Sequence, residues 1–366
     1  MRYHADAYLP CEQTPRCNWF YAMLVPYTIR KVRYVFEYQG WIELDGRRLT
    51  RDEVEEITRT APETIRRFGG EFALSFGDCQ ARDHFGICPG HSPIGAVVCN
   101  GEVRCLVNPD PAPQPLADAI TTAVALRNDE GITALSGGVD SSLVAVLAQR
   151  ECLAVGLAGS HDLLRAQHAA HLLNLPCTSV VVTPPEIEAA LPRVLAVIPV
   201  KDPVNTSIAL TQYFIARGAH DLGYDRILTG QGADELFGGY ARYLTTTTLA
   251  DDLTRDVASL EMQVIRDQSV AALHTTRLSM PYMDIRVVRA ALAIPAEEKV
   301  KDGKRKVPLR RVAAQYMPEE LAGYGKKAMQ YGSGIWGELK KLARKNGYKT
   351  SVQDYIDQIL RVEHGH

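Results

Sequence analysis

"TALSGGVDSSLVAVLAQ" (Thr133–Gln149) joins the end of a short apolar strand, a loop of small residues with one aspartate, and the start of an amphipathic helix. Leu135 closes the strand. Ser136, Gly137 and Gly138 form a turn whose backbone N–H groups meet no bulky side chain. Val139 and Asp140 open the helix, whose N-terminus adds partial positive charge, and Ser141 and Ser142 add hydroxyl donors. Together these positions predict a phosphate cradle. The lysine of a GxxxxGK[ST] loop is absent, so a grip on β- and γ-phosphates of that type is not expected. Asp140 beside bound phosphates calls for a cation between them, and Mg²⁺ is the expected ion. Glycine-rich strand–helix turns also arise for packing, and Ser and Asp are good N-caps, but the agreement at successive positions favours the phosphate reading.

Downstream of residue 115, strand and helix patterns alternate. "CLAVGLAG", "CTSVVVT" and "RILTG" read as strands, and "DLLRAQHAAHLLNL" and "NTSIALTQYFIARGAHDLG" as helices. "PEIEAALPRVLAVI" reads as a helix interrupted at Pro192. Such alternation predicts right-handed crossovers and a parallel sheet, with ligands beyond the carboxyl ends of the strands. The opening loop lies at one such end and "TGQGADELFGGY" at another. From Thr245 onward strand signals fade and the remainder reads mostly helical.

Upstream, "NPDPAPQPL" (Asn108–Leu116) has proline at every second position, which suits an extended linker and no regular element. The expected organisation is therefore 1–107, a linker at 108–115, and 116–366. The first part reads as a small α+β unit. "YVFEYQGWIEL" alternates as a strand does, "RDEVEEITRTAPETIRRFGG" is helical as far as Gly69, and "AVVCNGEVRCLV" is a hairpin turning at Asn100-Gly101.

The 366 residues are 46% hydrophobic and 23% charged, with a formal net charge of -2, which describes an ordinary globular chain and no general polyanion binder. No apolar run approaches a membrane-spanning length and no secretory pattern opens the chain, so the cytoplasm is the expected compartment. The eight cysteines form no CxxC and the favoured reading is buried thiols acting as small hydrophobes; six fall within the first 105 residues, which leaves a metal or disulfide cluster there as the alternative.

"SGGVDSS" resembles the PP-loop of the ATP pyrophosphatases, which cleave ATP between the α- and β-phosphates. "LTGQGADELFGGYARY" narrows the resemblance to the asparagine synthetase/β-lactam synthetase family. In that family the second segment brings another Mg²⁺-binding aspartate, which here is Asp234, within a loop comprising Thr229, Gly230 and Gly232. "AVGLAGSHDLLRAQHAAHLLNL" resembles the block near adenine and ribose, which implies roles for Val155, Gly156 and Asp162. "SMPYMD" resembles the family's "RVPFLD", and "VPLRRVAAQYMPEELAGYGKKAMQYGSG" its C-terminal block, whose phosphate-binding lysine corresponds to Lys326. The resemblance runs from about Leu116 to about Leu339. It implies a parallel-sheet PP-loop domain with a helical C-terminal part, ATP and Mg²⁺ as cofactors, adenylation of a carboxylate (aspartate first), and attack by ammonia or another amine.

"GGEFALSFGDCQARDHFGICPG" resembles part of the family's Ntn-type glutaminase domain. That chemistry needs an N-terminal cysteine whose own α-amine acts as base, and residue 2 here is Arg. The expectation is a truncated remnant without glutaminase activity, with a separate glutaminase as one source of ammonia. Glu235 is expected to serve its loop structurally, and the basic run "KVKDGKRKVPLRR" to be a solvated helix face.

Two departures bear on the chemistry. The family has Glu or Tyr where this chain has Gln231, and an amide cannot take a proton from an incoming amine. The glutamate of the family's "GxExRVPFLD" aligns with Arg277, read either as an anchor for an anionic substrate or as a surface residue. An amide ligase for another acid is the neighbouring reading. A tRNA-modifying PP-loop enzyme would need a basic RNA-binding face, and nucleic acid is not the expected partner. A non-catalytic ATP-binding regulator fits the changes at Gln231 and Arg277 but not the retention of Asp140, Asp234 and Lys326. A homodimer is left open.

Overall fold

The computed structural model describes residues 35–324 and 332–364, with side chains described to residue 362. Cys11, Cys17 and Lys326 lie outside the described residues. The chain divides into two compact units between Asp110 and Pro111, inside the proline-rich stretch.

The first unit carries a six-stranded antiparallel sheet in the order β2-β1-β3-β4-β5-β6. Its strands are β1 (Phe36–Leu44), β2 (Arg47–Arg48), β3 (Gly69–Phe76), β4 (Cys79–Arg82), β5 (Ala96–Cys99) and β6 (Glu102–Leu106). Alternation in β1 and β3 turns Tyr38, Ile42, Phe72, Leu74 and Phe76 into one apolar cluster with Val54 and Ile65. Helix α1 (Arg51–Thr60) starts at a capping box, with the Glu53 N–H donating to Thr50 Oγ1 at 3.3 Å and the Thr50 N–H to Glu53 Oε2 at 2.8 Å. The helix expected to run to Gly69 instead ends before Pro62, and Pro62–Arg67 form a 3₁₀ turn. Asn100 and Gly101 take φ of 52° and 80°, as a type I′ hairpin requires.

The cysteines depart from the sequence expectation. Register places Cys79 directly opposite Cys99 across β4 and β5, and the two form a disulfide with a Cα separation of 4.0 Å. Strand pairing made that juxtaposition, which no spacing in the chain announces. Cys152 and Cys177 are free thiols.

The second unit holds a five-stranded parallel sheet in the order β11-β10-β7-β8-β9. Its strands are β7 (Ile132–Ala134), β8 (Cys152–Leu157), β9 (Cys177–Val182), β10 (Arg226–Leu228) and β11 (Arg277–Ser279). Between them run α2 (Leu116–Ala125, before β7), α3 (Val139–Ala148), α4 (His161–Leu173), α5 (Pro184–Val197), α6 (Pro203–Asp221), α7 (Ala233–Phe237), α8 (Leu249–Ala258) and α9 (Leu260–Ala272). Cys152, Leu153, Ala154 and Val155 of β8 are all buried, so helices cover both faces of this strand. Helix α5 continues through Pro192, because Ile187, Leu191, Val194 and Leu195 stay buried along its inner face and hold the turns around the missing hydrogen bond. The strand β11 lies in the region read as mostly helical; at three residues it is too short to show a period. Beyond it come α10 (Ile285–Leu292), α11 (Ala296–Lys299), α12 (Val307–Ala313), α13 (Glu319–Ala322), α14 (Ile335–Lys345) and α15 (Val352–His364). No helix among the described residues is long and apolar enough to cross a membrane.

Candidate active site

From β7 the chain steps outward through α3, β8 and α4 to the edge strand β9, then crosses back through α5 and α6 to β10 on the other side of β7. The gap between the carboxyl ends of β7 and β10 is therefore the topological switch point, where a parallel sheet opens a ligand crevice. The loop 135–138 follows β7 and the loop 229–232 follows β10, so the two sequence motifs flank that crevice.

In the first loop, Gly138 caps α3 in extended conformation and Leu135 N–H donates to Leu153 O at 2.9 Å. Ser136 N–H donates to Ser141 Oγ at 3.2 Å, which draws the turn tight onto the first turn of α3. Ser142 Oγ is buried without a hydrogen-bond partner. In the second loop the Thr229 N–H donates to Ser279 O at 3.0 Å, extending the β10–β11 ladder. A Cβ on Gly230 would stand 2.9 Å from Ser141 N and 3.0 Å from Asp140 Cβ, so only glycine lets this backbone lie against the first loop. Gly232 caps α7 with φ of 85°. Val155 and Gly156 sit buried toward the end of β8, and Asp162 is buried in the first turn of α4, 3.3 Å from His161 Nδ1. Tyr282, from "SMPYMD", donates its hydroxyl to Asp140 O at 3.0 Å.

Asp140 and Asp234 meet at a residue the sequence reading set aside. Lys306 Nζ lies 2.6 Å from Asp140 Oδ2 and 2.6 Å from Asp234 Oδ1. The run "KVKDGKRKVPLRR" is not a solvated helix face. Asp302 and Gly303 take φ of 52° and 69°, Lys301 pairs with Lys304, and the chain doubles back on itself. Lys301 and Lys304 are exposed at the tip while Lys299 and Lys306 are buried. The Asp-Gly turn was the available signal for that reversal. Burial opposes the Lys306 ammonium, but the two carboxylates outweigh it and hold its pKa above the usual lysine value. Arg305, next in line, donates to Gly239 O. A Cβ on Gly239 would fall 1.7 Å from Asp234 Oδ1 and 2.2 Å from Lys306 Cε, so the second glycine of "FGGY" makes room for this ion triad. Glu235 is buried and accepts from Tyr240 Oη and from Gln263 Nε2, a structural role for the loop.

Gln231 is held from both ends. Thr229 Oγ1 donates to its Oε1 at 3.1 Å and its Nε2 donates to Asp267 Oδ2. Asp267, 1% exposed, also accepts from Arg266 Nε at 2.7 Å and Nη2 at 2.9 Å, and Arg266 reaches Asn205 Oδ1 at 2.7 Å. Nothing local in the sequence marks Asp267, which enters the site only because α9 packs against α6 beside β11. Arg277 is not brought here. It is the first residue of β11, at the opposite end of the strand, and pairs with Asp225 at 2.7 Å and Glu130 at 2.9 Å. The structure thus sets Arg277 away from the two loops, because in a parallel sheet strand starts and strand ends face opposite edges.

The residues present fit a divalent cation. Asp140 Oδ1 is a buried acceptor without a hydrogen-bond partner, and the carboxylates of Asp140 and Asp234 converge closely enough to share one ammonium. The donors of 136–142 fit polyphosphate oxygens.

The asparagine synthase family model matches residues 115–271 and 248–359. A protein of Methanocaldococcus jannaschii named as a glutamine-hydrolyzing asparagine synthetase is 33% identical over 270 residues, covering 62% of this chain and 50% of the relative. Asparagine synthetase B [glutamine-hydrolyzing] of Escherichia coli is 25% identical, covering 68% and 48%. Carboxyethyl-arginine beta-lactam-synthase of Streptomyces clavuligerus is 27% identical, covering 66% and 49%. The chain thus spans about half the length of these relatives. With two motif loops at one switch point and a family match over most of its length, the chain belongs to the asparagine synthase family.

Proposed function

We propose that this protein is an ATP-dependent amide ligase that adenylates a carboxylate, releases pyrophosphate and then AMP, and joins the acyl group to ammonia or another amine. The observation that carries this reading is the convergence of Asp140 and Asp234 on one point between the two loops. The backbone N–H groups of 136–140 and the hydroxyls of Ser141 and Ser142 would hold the phosphates. Asp140 and Asp234 would hold Mg²⁺, which when bound supplies charge neutralisation to the phosphate oxygens. Lys306 would add positive charge where the leaving pyrophosphate gains negative charge, a role the family resemblance also gives to Lys326. In the first step a substrate carboxylate oxygen bonds to the α-phosphorus and the α–β bridging bond breaks. In the second the amine nitrogen bonds to the acyl carbon, AMP leaves with the electron pair, and the nitrogen loses a proton.

Gln231 cannot take that proton, and Asp267 behind it is engaged by Arg266 and by Gln231 itself. The amine therefore enters as the neutral free base. Aspartate is the first candidate acid on the family relationship. Another acid is favoured by one observation: Arg266, which shares Asp267 with Gln231, is committed to Asp267 and Asn205 and not presented to a second substrate carboxylate. Ammonia reaches the site from solution or from a separate glutaminase. We assign the chemistry to the cytoplasm; the Cys79–Cys99 disulfide stands against that assignment, since such bridges are rare there. The reading is tested by product identity. Incubation with ATP, Mg²⁺, ammonium and acid should give AMP, and ADP as sole nucleotide product would refute it.

A further inference from the structure

Lys306 does more in this arrangement than add a charge near phosphates. Its ammonium is buried and bridges the two carboxylates at 2.6 Å each, using Asp140 Oδ2 and Asp234 Oδ1. Its backbone adopts φ of 58°, the left-handed region that a lysine seldom enters, at the residue that caps α12. That conformation points the chain reversal at the carboxylates, and the packing around it is matched to the lysine stem: Gly239 lies against Lys306 Cε. A second cation on the same oxygens would face this ammonium within a few ångströms, on the buried Asp140 and the half-buried Asp234, where charges are less screened than in open water.

We propose that Lys306 is a built-in cation that excludes a divalent ion from Asp140 and Asp234 until nucleotide arrives. Polyphosphate supplies the alternative partner for the ammonium; Lys306 turns onto phosphate oxygens and the carboxylates accept the metal. Metal and nucleotide therefore bind together, and the carboxylate pair has little affinity for a divalent ion alone. The proposal rests on the reading of Asp140 and Asp234 as metal ligands, and its test separates the two.

The probe is Mn²⁺, whose free concentration is read by electron paramagnetic resonance with the full-length protein. Wild type should bind Mn²⁺ weakly without nucleotide. Lys306→Gln should bind it at least about tenfold more tightly, the size expected from removing one close like charge. Lys306→Met, which keeps the packing stem, should behave as Lys306→Gln, and either variant suffices if the other fails to fold. Adding the non-cleavable α,β-methylene analogue of ATP should bring wild-type Mn²⁺ affinity up and narrow the gap. Equal binding by wild type and both variants without nucleotide would overturn the proposal. So would no binding by either variant. In both cases the analogue arm judges the metal reading separately: Mn²⁺ bound with analogue in wild type and lost in Asp140→Asn keeps it, and no Mn²⁺ bound with analogue removes it.

Discussion

The side-chain amide of Gln231 donates to the carboxylate of Asp267, and its carbonyl accepts from Thr229 Oγ1 at 3.1 Å. Both ends of the amide are thus fixed, and its orientation in the crevice is set by the protein rather than by a ligand. Where an acid or phenol would stand ready to take a proton, a neutral group is locked in place.

The rate of amide formation at saturating acid and ATP should therefore follow the free-base fraction of the amine. We expect a log rate that rises with pH at a slope of about one until the pKa of the amine. Gln231→Glu should flatten that rise and raise the rate at neutral pH by about tenfold or more. Identical profiles for the two proteins would show that the amine proton is managed elsewhere.

Asp140→Asn and Asp234→Asn should each reduce turnover by at least about a hundredfold, as loss of a metal-held phosphate would. Circular dichroism should show both variants folded. Asp140→Asn with wild-type turnover would remove the metal assignment.

Gly239→Ala puts a methyl group 1.7 Å from Asp234 Oδ1. We expect about a hundredfold loss in kcat, because displacement of a catalytic group by roughly an ångström carries that cost. A simple hydrophobic repacking would instead show as loss of thermal stability with kcat intact.

Arg277→Ala should leave kcat and KM unchanged. Its guanidinium joins Asp225 and Glu130 at the strand-start edge, and losing these partly exposed pairs should cost no more than about 1 kcal/mol of stability. A large rise in KM for the acid would return Arg277 to the substrate site.

His274 gives a pH dependence of stability. Burial, then the charges of Arg193, Arg217 and His220, push its pKa down to about 4. In the unfolded chain the imidazole titrates near its ordinary value, so between about 6.5 and 4 the unfolded state binds more protons. Stability is therefore lost as pH falls through that window. The ring is half-exposed, so the loss should be about 1 kcal/mol. Chemical denaturation at pH 7 and pH 4.5 measures it, with His274→Asn expected to remove the difference.

The parallel sheet was legible because its strands and helices carry strong local signals, and the loops 135–142 and 229–234 because glycine, serine and aspartate have few other uses at strand ends. What escaped depends on tertiary pairing. Lys306 sits in a run of exposed charges, and its burial follows from a turn that folds Lys301 against Lys304. Asp267 reads as one more helix charge until α9 lies beside the crevice. Cys79 and Cys99 become partners only through the register of β4 and β5. Arg277 was placed by alignment of a short motif, while the sheet direction puts the first residue of β11 far from its ligand edge.

The most direct test of the central claim is pyrophosphate release from ATP and Mg²⁺ with ammonium, measured over aspartate and a panel of other carboxylic acids. The account predicts release that depends on one class of acid and yields the matching amide; release with aspartate and formation of asparagine would name the substrate. Tight ATP binding with no release for any acid would contradict it.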